Sequence, residues 1–346
     1  MSKPIEKIIQ DLLKNLNPRQ KEIIEGRFGL KKGKNTLASL GEKFGLTRER
    51  VRQIENGAIA EIRKKALENK EIEEISKMSV NFIKNLGGVR KEDFFVNDFR
   101  GLVNDQSATP EQIRFFFEVV GSLLYQPANN NFYAFYYTDK KLIKRINTLL
   151  NKFAALISKK KKELIVKNIL EVLIQKIVKT AKINDFVFLN YLSISKKFGI
   201  NPYGDFGLVN WEEILPKTIR AKAFLVAKKA ERPLHFKEIA ELINKIGFDN
   251  KKAHYQTVHN ELIKDPRFVL VGRGMYSLAE FGYQPGTARE VIASILKKHG
   301  PLPSKRIIDL VKQQRLLKEN TIIINLSNKK YFRKLNDGRY YLVEKA

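Results

Sequence analysis

The sequence predicts a mainly α protein, built as a multi-domain array of helix-turn-helix and winged-helix units with short β-hairpin wings. Two capped helices with apolar residues at helical spacing meet at a glycine near the N-terminus. Two similar segments of three helices and a hairpin fill the last third. The 346 residues, 43% of them apolar, allow two to four domains with cores of their own. We predict segments at 1–75, 76–138, 139–216, 217–284 and 285–346.

The first of these segments contains the clearest pair of helices. Thr36 and Thr47 each suit the cap of a helix, and Gly45 suits the left-handed residue that ends the first one. Asn17-Pro18 begins a further helix upstream. The apolar stripes are Leu37, Leu40 and Phe44 on one helix and Val51, Ile54, Ala58 and Ile62 on the other.

The opposite side of the second helix carries polar side chains that suit the major groove of DNA. Arginine pairs with guanine, glutamine with adenine, and glutamate accepts a hydrogen bond from cytosine. A solvated charged helix is the alternative, but the charges follow a capped turn directly, and amides lie among them. We therefore predict base readout by Arg48, Glu49, Arg50, Arg52, Gln53 and Asn56.

Residues 17–65 closely resemble region 4 of the housekeeping sigma factors of bacterial RNA polymerase. The resemblance rests on Arg27-Phe28-Gly29-Leu30, Leu40-Gly41 and the run from Thr47 to Glu55. It implies recognition of a −35 promoter element in double-stranded DNA and docking on the β flap of core RNA polymerase. We also predict that Arg27, Thr36 and Thr47 contact phosphate or cap helices.

The resemblance covers about 50 of 346 residues, and the departure from a complete sigma factor matters. A complete factor carries upstream domains that bind the polymerase and melt the −10 element. The matching unit begins about 16 residues from the start of this sequence, and no pattern of those domains follows it. We therefore do not expect a self-sufficient initiation factor.

The charge of the chain indicates a polyanionic partner. There are 65 Lys and Arg against 37 Asp and Glu, a formal net charge of +28. The charge is spread along the chain and no apolar run reaches the length of a membrane span, so DNA is favoured over a membrane surface. The chain has no cysteine and no apolar leader at Met1, and we expect a cytoplasmic protein.

The last third contains two similar units. Each has three helices, an early Pro-Leu turn and a hairpin, and the hairpins align Phe268 with Phe332 and Leu278 with Leu342. The first unit resembles the HARE helix-turn-helix through Arg232-Pro233-Leu234-His235-Phe236 and the Val271–Gly274 run. That resemblance implies a winged helix that binds DNA or polymerase. Its candidate contacts are His254, Gln256, Thr257, Asn260 and Lys264 on the third helix and Arg273 on the wing.

The last unit is the more basic one. Residues 286–346 hold 14 Lys or Arg and 5 Asp or Glu, which suits phosphate binding, although a merely soluble surface is the alternative. Its candidate contacts lie on the third helix, after it and on the hairpin. They are Lys318, Asn320, Thr321, Asn325, Lys329, Lys330, Arg333, Lys334 and Arg339.

The middle of the chain is less specific. The order of elements predicts a further winged helix in this part. Three helices are expected at 80–86, 91–99 and 109–121, and two strands follow at 122–126 and 132–138. The aromatic residues at 132–137 fit a packed hairpin better than a platform for stacked bases. A helical segment is expected next, with helices at 139–157, 162–180 and 185–198. Trp211 is expected to be a buried residue of a core.

The sequence shows no pattern of an enzyme. The four histidines make no metal-binding pair, so we predict no metal and no cofactor. The Gly29–Asn35 loop has the wrong glycine spacing for a phosphate loop. The leading hypothesis is a non-enzymatic, sequence-specific DNA-binding transcription factor. Two alternatives stay open, a polymerase-associated accessory factor and a restriction- or nuclease-type DNA protein.

Overall fold

The computed structural model describes residues 3–31, 33–167, 169–249, 251–283 and 286–343. The chain divides into two compact units. The first comprises Met1–Gly199 with Phe206–Leu208, and the second Ile200–Asp205 with Val209–Ala346. The predicted mainly α fold class is confirmed, since the strands form only small sheets of two or three members.

Four helices open the first unit: α1 Ile5–Leu13, α2 Pro18–Phe28, α3 Leu37–Phe44 and α4 Arg48–Leu67. Helix α2 begins with a capping box in which the Asn17 side chain and Gln20 satisfy each other's backbone N–H groups. Gly29 and Gly45 end α2 and α3 in the left-handed conformation. The helix boundaries predicted around the glycine turn are therefore correct.

A winged-helix order of elements follows. The elements are α5 Lys70–Asn85, β1 Val89–Lys91, α6 Glu92–Val103, α7 Pro110–Val120, β2 Leu124–Gln126 and β3 Phe135–Tyr137. Strand β3 lies between β1 and β2 in an antiparallel sheet. Strand β1 was not foreseen, and the helix expected from Lys91 begins at Glu92 instead.

One apolar core spans the predicted boundary at residue 75. It runs from Ile5 in α1 through Ile62 in α4 to Phe115 and Tyr136. The rings of Phe28 and Phe115 meet edge to face with centroids 5.0 Å apart. The first two predicted segments therefore share a core, and the five-part division of the chain stays a prediction.

The rest of the first unit is helical, with one short hairpin. Its elements are α8 Lys140–Lys159, α9 Lys161–Lys167, α10 Leu170–Ala181, α11 Asp185–Ser193, β4 Phe198–Ile200 and β5 Phe206–Leu208. The helix expected at 162–180 is two helices, and the one expected at 185–198 ends at Ser193. The Asn190 side chain fastens α11 to the α5–β1 turn by donating to the carbonyl oxygens of Leu86 and Val89 at 2.9 and 2.6 Å.

The second unit begins with a winged helix. Its elements are α12 Ile219–Ala230, β6 Leu234–His235, α13 Phe236–Ile246, α14 Tyr255–Lys264, β7 Phe268–Gly272 and β8 Met275–Leu278, followed by a short 3-10 helix, Ala279–Phe281. The sheet order is β6-β8-β7. The segment expected as a turn at Pro233 thus includes a strand that pairs Leu234 with Tyr276. Trp211, in the same unit, is buried as expected.

A second winged helix follows with the same order. Its elements are α15 Ala288–His299, β9 Leu302–Pro303, α16 Ser304–Gln314, α17 Glu319–Leu326, β10 Phe332–Lys334 and β11 Arg339–Leu342. Phe332 pairs with Leu342 as Phe268 pairs with Leu278, so the hairpins aligned from the sequence share one register. The backbone N–H of Leu316 donates to the carbonyl oxygen of Val271 at 2.9 Å and joins the two winged helices.

Candidate nucleic-acid interface

Helices α3 and α4 are joined by a turn that packs tightly on Gly41. The backbone N–H of Leu46 donates to the carbonyl oxygen of Gly41 at 2.8 Å. A Cβ atom at Gly41 would lie only 2.6 Å from the carbonyl oxygen of Leu46, so only glycine permits this approach. Val51, Ala58 and Ile62 then bury one side of α4. The opposite side is left facing solvent.

The six residues predicted to read bases are all exposed. Glu49, Gln53 and Asn56 project opposite to the buried stripe of α4, because residues three and four apart share a helix face. Arg48, Arg50 and Arg52 flank them. The structure therefore brings the six side chains together on one accessible surface, which we call the α4 face.

Side chains of the α4 face pair with one another. The guanidinium of Arg52 donates through Nε and Nη2 to both carboxylate oxygens of Glu49, at 2.9 and 2.6 Å. Arg50 donates through Nη1 to Oε1 of Gln53 at 3.1 Å. The hydrogen bonds from Arg52 lower the pKa of Glu49, so this carboxylate is ionised at neutral pH and can accept a hydrogen bond.

Thr36 and Thr47 are helix caps. The Thr36 hydroxyl accepts from the backbone N–H of Ser39 at 3.0 Å, and the Thr47 hydroxyl accepts from that of Arg50 at 3.2 Å. Both side chains are exposed at the beginnings of α3 and α4. Whether they also contact phosphate stays a prediction.

Arg27 caps no helix, contrary to one of its two predicted roles. Its Nε lies 3.4 Å from Oε1 of Glu55, and its Nη1 donates to the carbonyl oxygen of Asn35 at 3.4 Å. Burial raises the pKa of Glu55, and the guanidinium of Arg27 offsets part of that effect. Arg27 thus ties α2 to α4 and to the preceding loop, and its phosphate contact stays a prediction.

Sequence reasoning missed a second arginine that braces the helix-turn-helix. Arg19 in α2 donates through Nη2 to the carbonyl oxygen of Phe44 at 2.9 Å. Its guanidinium also lies 5.7 Å from the centre of the Phe44 ring. The two residues are 25 positions apart, and no local pattern connects them.

The third helix of the first winged helix presents four predicted contacts on one face. Gln256, Thr257, Asn260 and Lys264 are exposed, while Val258 and Leu262 bury the other side. The helix was expected to include His254 but begins at Tyr255. The Asn244 side chain binds both the N–H and the carbonyl of Ala253, at 2.7 and 3.0 Å, and so keeps this part of the backbone out of the helix.

His254 therefore lies at the cap position of α14, exposed and stacked on Tyr255 with ring centroids 4.5 Å apart. Arg273 is exposed at the tip of the β7–β8 hairpin. Gly274 follows it with φ +70°, and a Cβ atom there would lie 2.6 Å from Nε2 of His235. The wing turn thus depends on this glycine.

The third helix of the second winged helix is less polar. Asn320 and Thr321 are exposed, but Ile323 and Ile324 are exposed beside them, and Ile324 is 70% accessible. Lys318 lies at the cap position in an extended conformation rather than inside the helix. The basic residues that follow α17 are exposed, namely Lys329, Lys330, Arg333, Lys334 and Arg339, whereas Asn325 is half-buried.

The third helix of the middle winged-helix unit is not accessible. Helix α7 packs against α1 and α4, and Ile113, Phe115 and Phe116 are fully buried in the shared core. Arg63 of α4 also donates to the carbonyl oxygens of Val119 and Glu118, both at 3.0 Å. This third helix connects the middle unit to helix α4 on the side away from the α4 face, and it has no free face for a DNA groove.

Two kinds of feature are absent from the described residues, a metal-binding cluster and a membrane-spanning helix. No group of three or more His, Asp and Glu side chains is placed to hold a metal ion. None of the described helices is both long and apolar enough to cross a membrane.

Replacing Thr47 with alanine is expected to loosen the first turn of α4. Losing this cap costs about 1 kcal/mol. Hydrogen exchange of the Arg50 amide, which the hydroxyl now protects, should accelerate by about fivefold. Thr47→Ser keeps the acceptor and serves as the control. Equal exchange in the alanine variant and the parent would show that the cap contributes nothing.

Two family models match segments of this chain. Residues 12–64 match the model described as "Sigma-70, region 4". Residues 217–281 match the HARE-HTH model, a helix-turn-helix domain whose description names ASXL and restriction endonuclease proteins. Both resemblances stated from the sequence are thereby confirmed. The matched families are DNA-binding helix-turn-helix families of the kind found in transcription proteins.

Curated relatives match a stretch of about 60 residues of this chain. The principal sigma factor HrdD of Streptomyces coelicolor is 46% identical over 59 residues, which are 17% of this chain and 18% of that protein. RpoD of Helicobacter pylori is 42% identical over 65 residues, 18% of this chain and 10% of that protein. The sigma factor sigB of Arabidopsis thaliana is 40% identical over 62 residues, 18% of this chain and 11% of that protein. The chain thus spans less than a fifth of each of these relatives.

Proposed function

We propose that this protein is a sequence-specific DNA-binding transcription factor that recognises a −35-like promoter element. The α4 face is the observation that carries the proposal. It gathers six hydrogen-bonding side chains on an exposed, capped helix inside the segment that matches sigma-70 region 4. Arg48, Glu49, Arg52 and Gln53 read base edges in the major groove, because their donors and acceptors complement those of guanine, cytosine and adenine.

The two C-terminal winged helices add contacts to flanking phosphates in this proposal. Among the predicted contacts, the exposed cations of the first winged helix are Lys264 and Arg273, and most of those of the second follow α17. Phosphate contacts carry affinity and base contacts carry specificity. The winged helices are therefore expected to strengthen binding to any sequence, while the α4 face selects the sequence.

Replacing Arg52 with alanine is expected to weaken binding to a −35 duplex by about 1–3 kcal/mol and to relax selectivity at one base pair. Fluorescence anisotropy with a promoter duplex and a scrambled duplex measures both effects. Lys64→Ala changes an exposed cation of the same helix outside the α4 face and is the matched control. If Arg52→Ala binds both duplexes as the parent does, the assignment of the α4 face is wrong.

A second candidate is an accessory factor that binds RNA polymerase directly. It is favoured by the exposed Ile323 and Ile324 on α17, since apolar side chains suit a protein partner better than phosphates. It also agrees with the names of the curated relatives, which are RNA polymerase sigma factors. Capture of core polymerase by the immobilised chain after nuclease treatment would support this candidate, whereas loss of the polymerase on nuclease treatment would favour DNA binding alone.

A further inference from the structure

A groove of about 920 Å³ lies along α8 in the first unit, between that helix and residues 181–191. Apolar side chains supply much of its lining, among them Leu142, Ile146, Leu149 and Ile183. Five cations also line it, namely Lys140, Lys141, Lys144, Arg145 and Lys152. We call this feature the α8 groove. The sequence had indicated only a helix at 139–157 here.

The charge of the α8 groove is uncompensated within the described part of the chain. None of its five cations forms an ion pair with a described carboxylate, and no acidic residue lines the groove. Helix α8 itself contains no Asp or Glu between Lys140 and Lys159. Like charges on neighbouring turns repel one another and destabilise a helix. An anionic partner would remove that repulsion.

The apolar lining indicates what kind of anion fits. A nucleic acid backbone offers phosphates and sugars, which gain little from contact with Leu142, Leu149 and Ile183. An amphipathic helix with carboxylates beside an apolar stripe matches both the cations and the apolar side chains, as in other helix-in-groove complexes. We propose that the α8 groove binds an acidic amphipathic helix of a partner protein. This inference goes beyond the proposed function and does not depend on it.

The test uses the full chain and a labelled helical peptide of about 18 residues, built from Glu and Leu with Leu at i, i+3, i+4 and i+7. Fluorescence anisotropy is expected to show saturable binding. A peptide with the same Leu positions and Lys in place of Glu should not bind, because its charge repels the five cations. Absence of saturable binding by the Glu peptide, or equal binding of both peptides, would overturn the proposal.

Two charge-reversal variants locate the binding. Arg145→Glu is expected to weaken peptide binding by about tenfold or more, since it adds repulsion to a lost attraction. Lys159→Glu makes the same kind of change on α8 outside the groove lining and should leave the affinity unchanged. Arg52→Ala, which tests DNA readout, should also leave it unchanged. If Arg145→Glu weakens binding of a short duplex but not of the peptide, the groove is a nucleic-acid surface and the proposal fails.

Discussion

Duplex binding by the full chain is expected to weaken by roughly 10³–10⁵-fold when monovalent salt rises from about 50 mM to about 200 mM. The reason is the release of counterions from the phosphates that the lysines and arginines neutralise. That range corresponds to about six to ten phosphate contacts. The net charge of +28 and the exposed cations of both C-terminal winged helices make such a number attainable. Anisotropy titrations at several salt concentrations measure the slope.

Single substitutions show which residues contribute to the slope of log K for duplex binding against log[salt]. Lys264→Ala removes one predicted phosphate contact from α14 and should reduce the slope of log K against log[salt] by about 0.9. Lys297→Ala removes an exposed cation of α15 that is not among the predicted contacts, and it should leave the slope unchanged. A salt-independent affinity of the parent chain would show that phosphate contacts do not carry the binding.

Replacing Phe115 with alanine is expected to cost about 3–5 kcal/mol of stability, because it leaves a cavity in a packed core. Phe115 is fully buried, and its ring contacts Phe28 of the helix-turn-helix. Helix α4 packs on α7, so the loss should reach the α4 face although Phe115 lies outside the matched segment. Amide exchange in α4 should accelerate by roughly a hundredfold or more, at tenfold for each 1.4 kcal/mol.

Hydrogen exchange read by mass spectrometry separates this local effect from a general one. Peptides covering α4 should exchange faster in Phe115→Ala, while peptides covering α12 and α13 of the other unit provide the reference. Phe115→Leu keeps most of the volume and is expected to show a much smaller effect. Unchanged exchange in α4 would mean that the helix-turn-helix does not depend on the shared core.

Local signals predicted the elements around the candidate site well. Thr36 and Thr47 cap the helices that they were expected to cap, α2 begins at Asn17-Pro18 as expected, and Gly45 ends α3. These predictions succeeded because a cap needs only the residues within the next turn. The pairing of Phe332 with Leu342 in the hairpin could also be predicted from the sequence, because Asn336-Asp337-Gly338 sets the turn.

Features that depend on distant residues were missed. Strands β1, β6 and β9 have two or three residues, too few for an alternating pattern, and exist because a distant hairpin strand pairs with them. The start of α14 at Tyr255 depends on the Asn244 side chain, nine positions before Ala253. The Arg27–Glu55 pair likewise joins two helices whose relative placement the sequence does not show.

The burial of α7 could have been predicted from the sequence. Phe115-Phe116-Phe117 places large apolar side chains on several faces of one helix turn, and a helix apolar on several faces is buried. Reading it that way would have excluded this third helix as a DNA contact. It would also have indicated that residues 1–75 share a core with later residues, as Ile5 and Phe116 do.

The selection of bound duplexes from a random library, by the full chain and by Arg52→Ala in parallel, tests the role of the α4 face most directly. The parent is expected to enrich a TTGACA-like consensus. The variant should lose the preference at one base pair of it while still binding duplex DNA. No enriched consensus from the parent, or an identical consensus from the variant, would contradict base readout by α4.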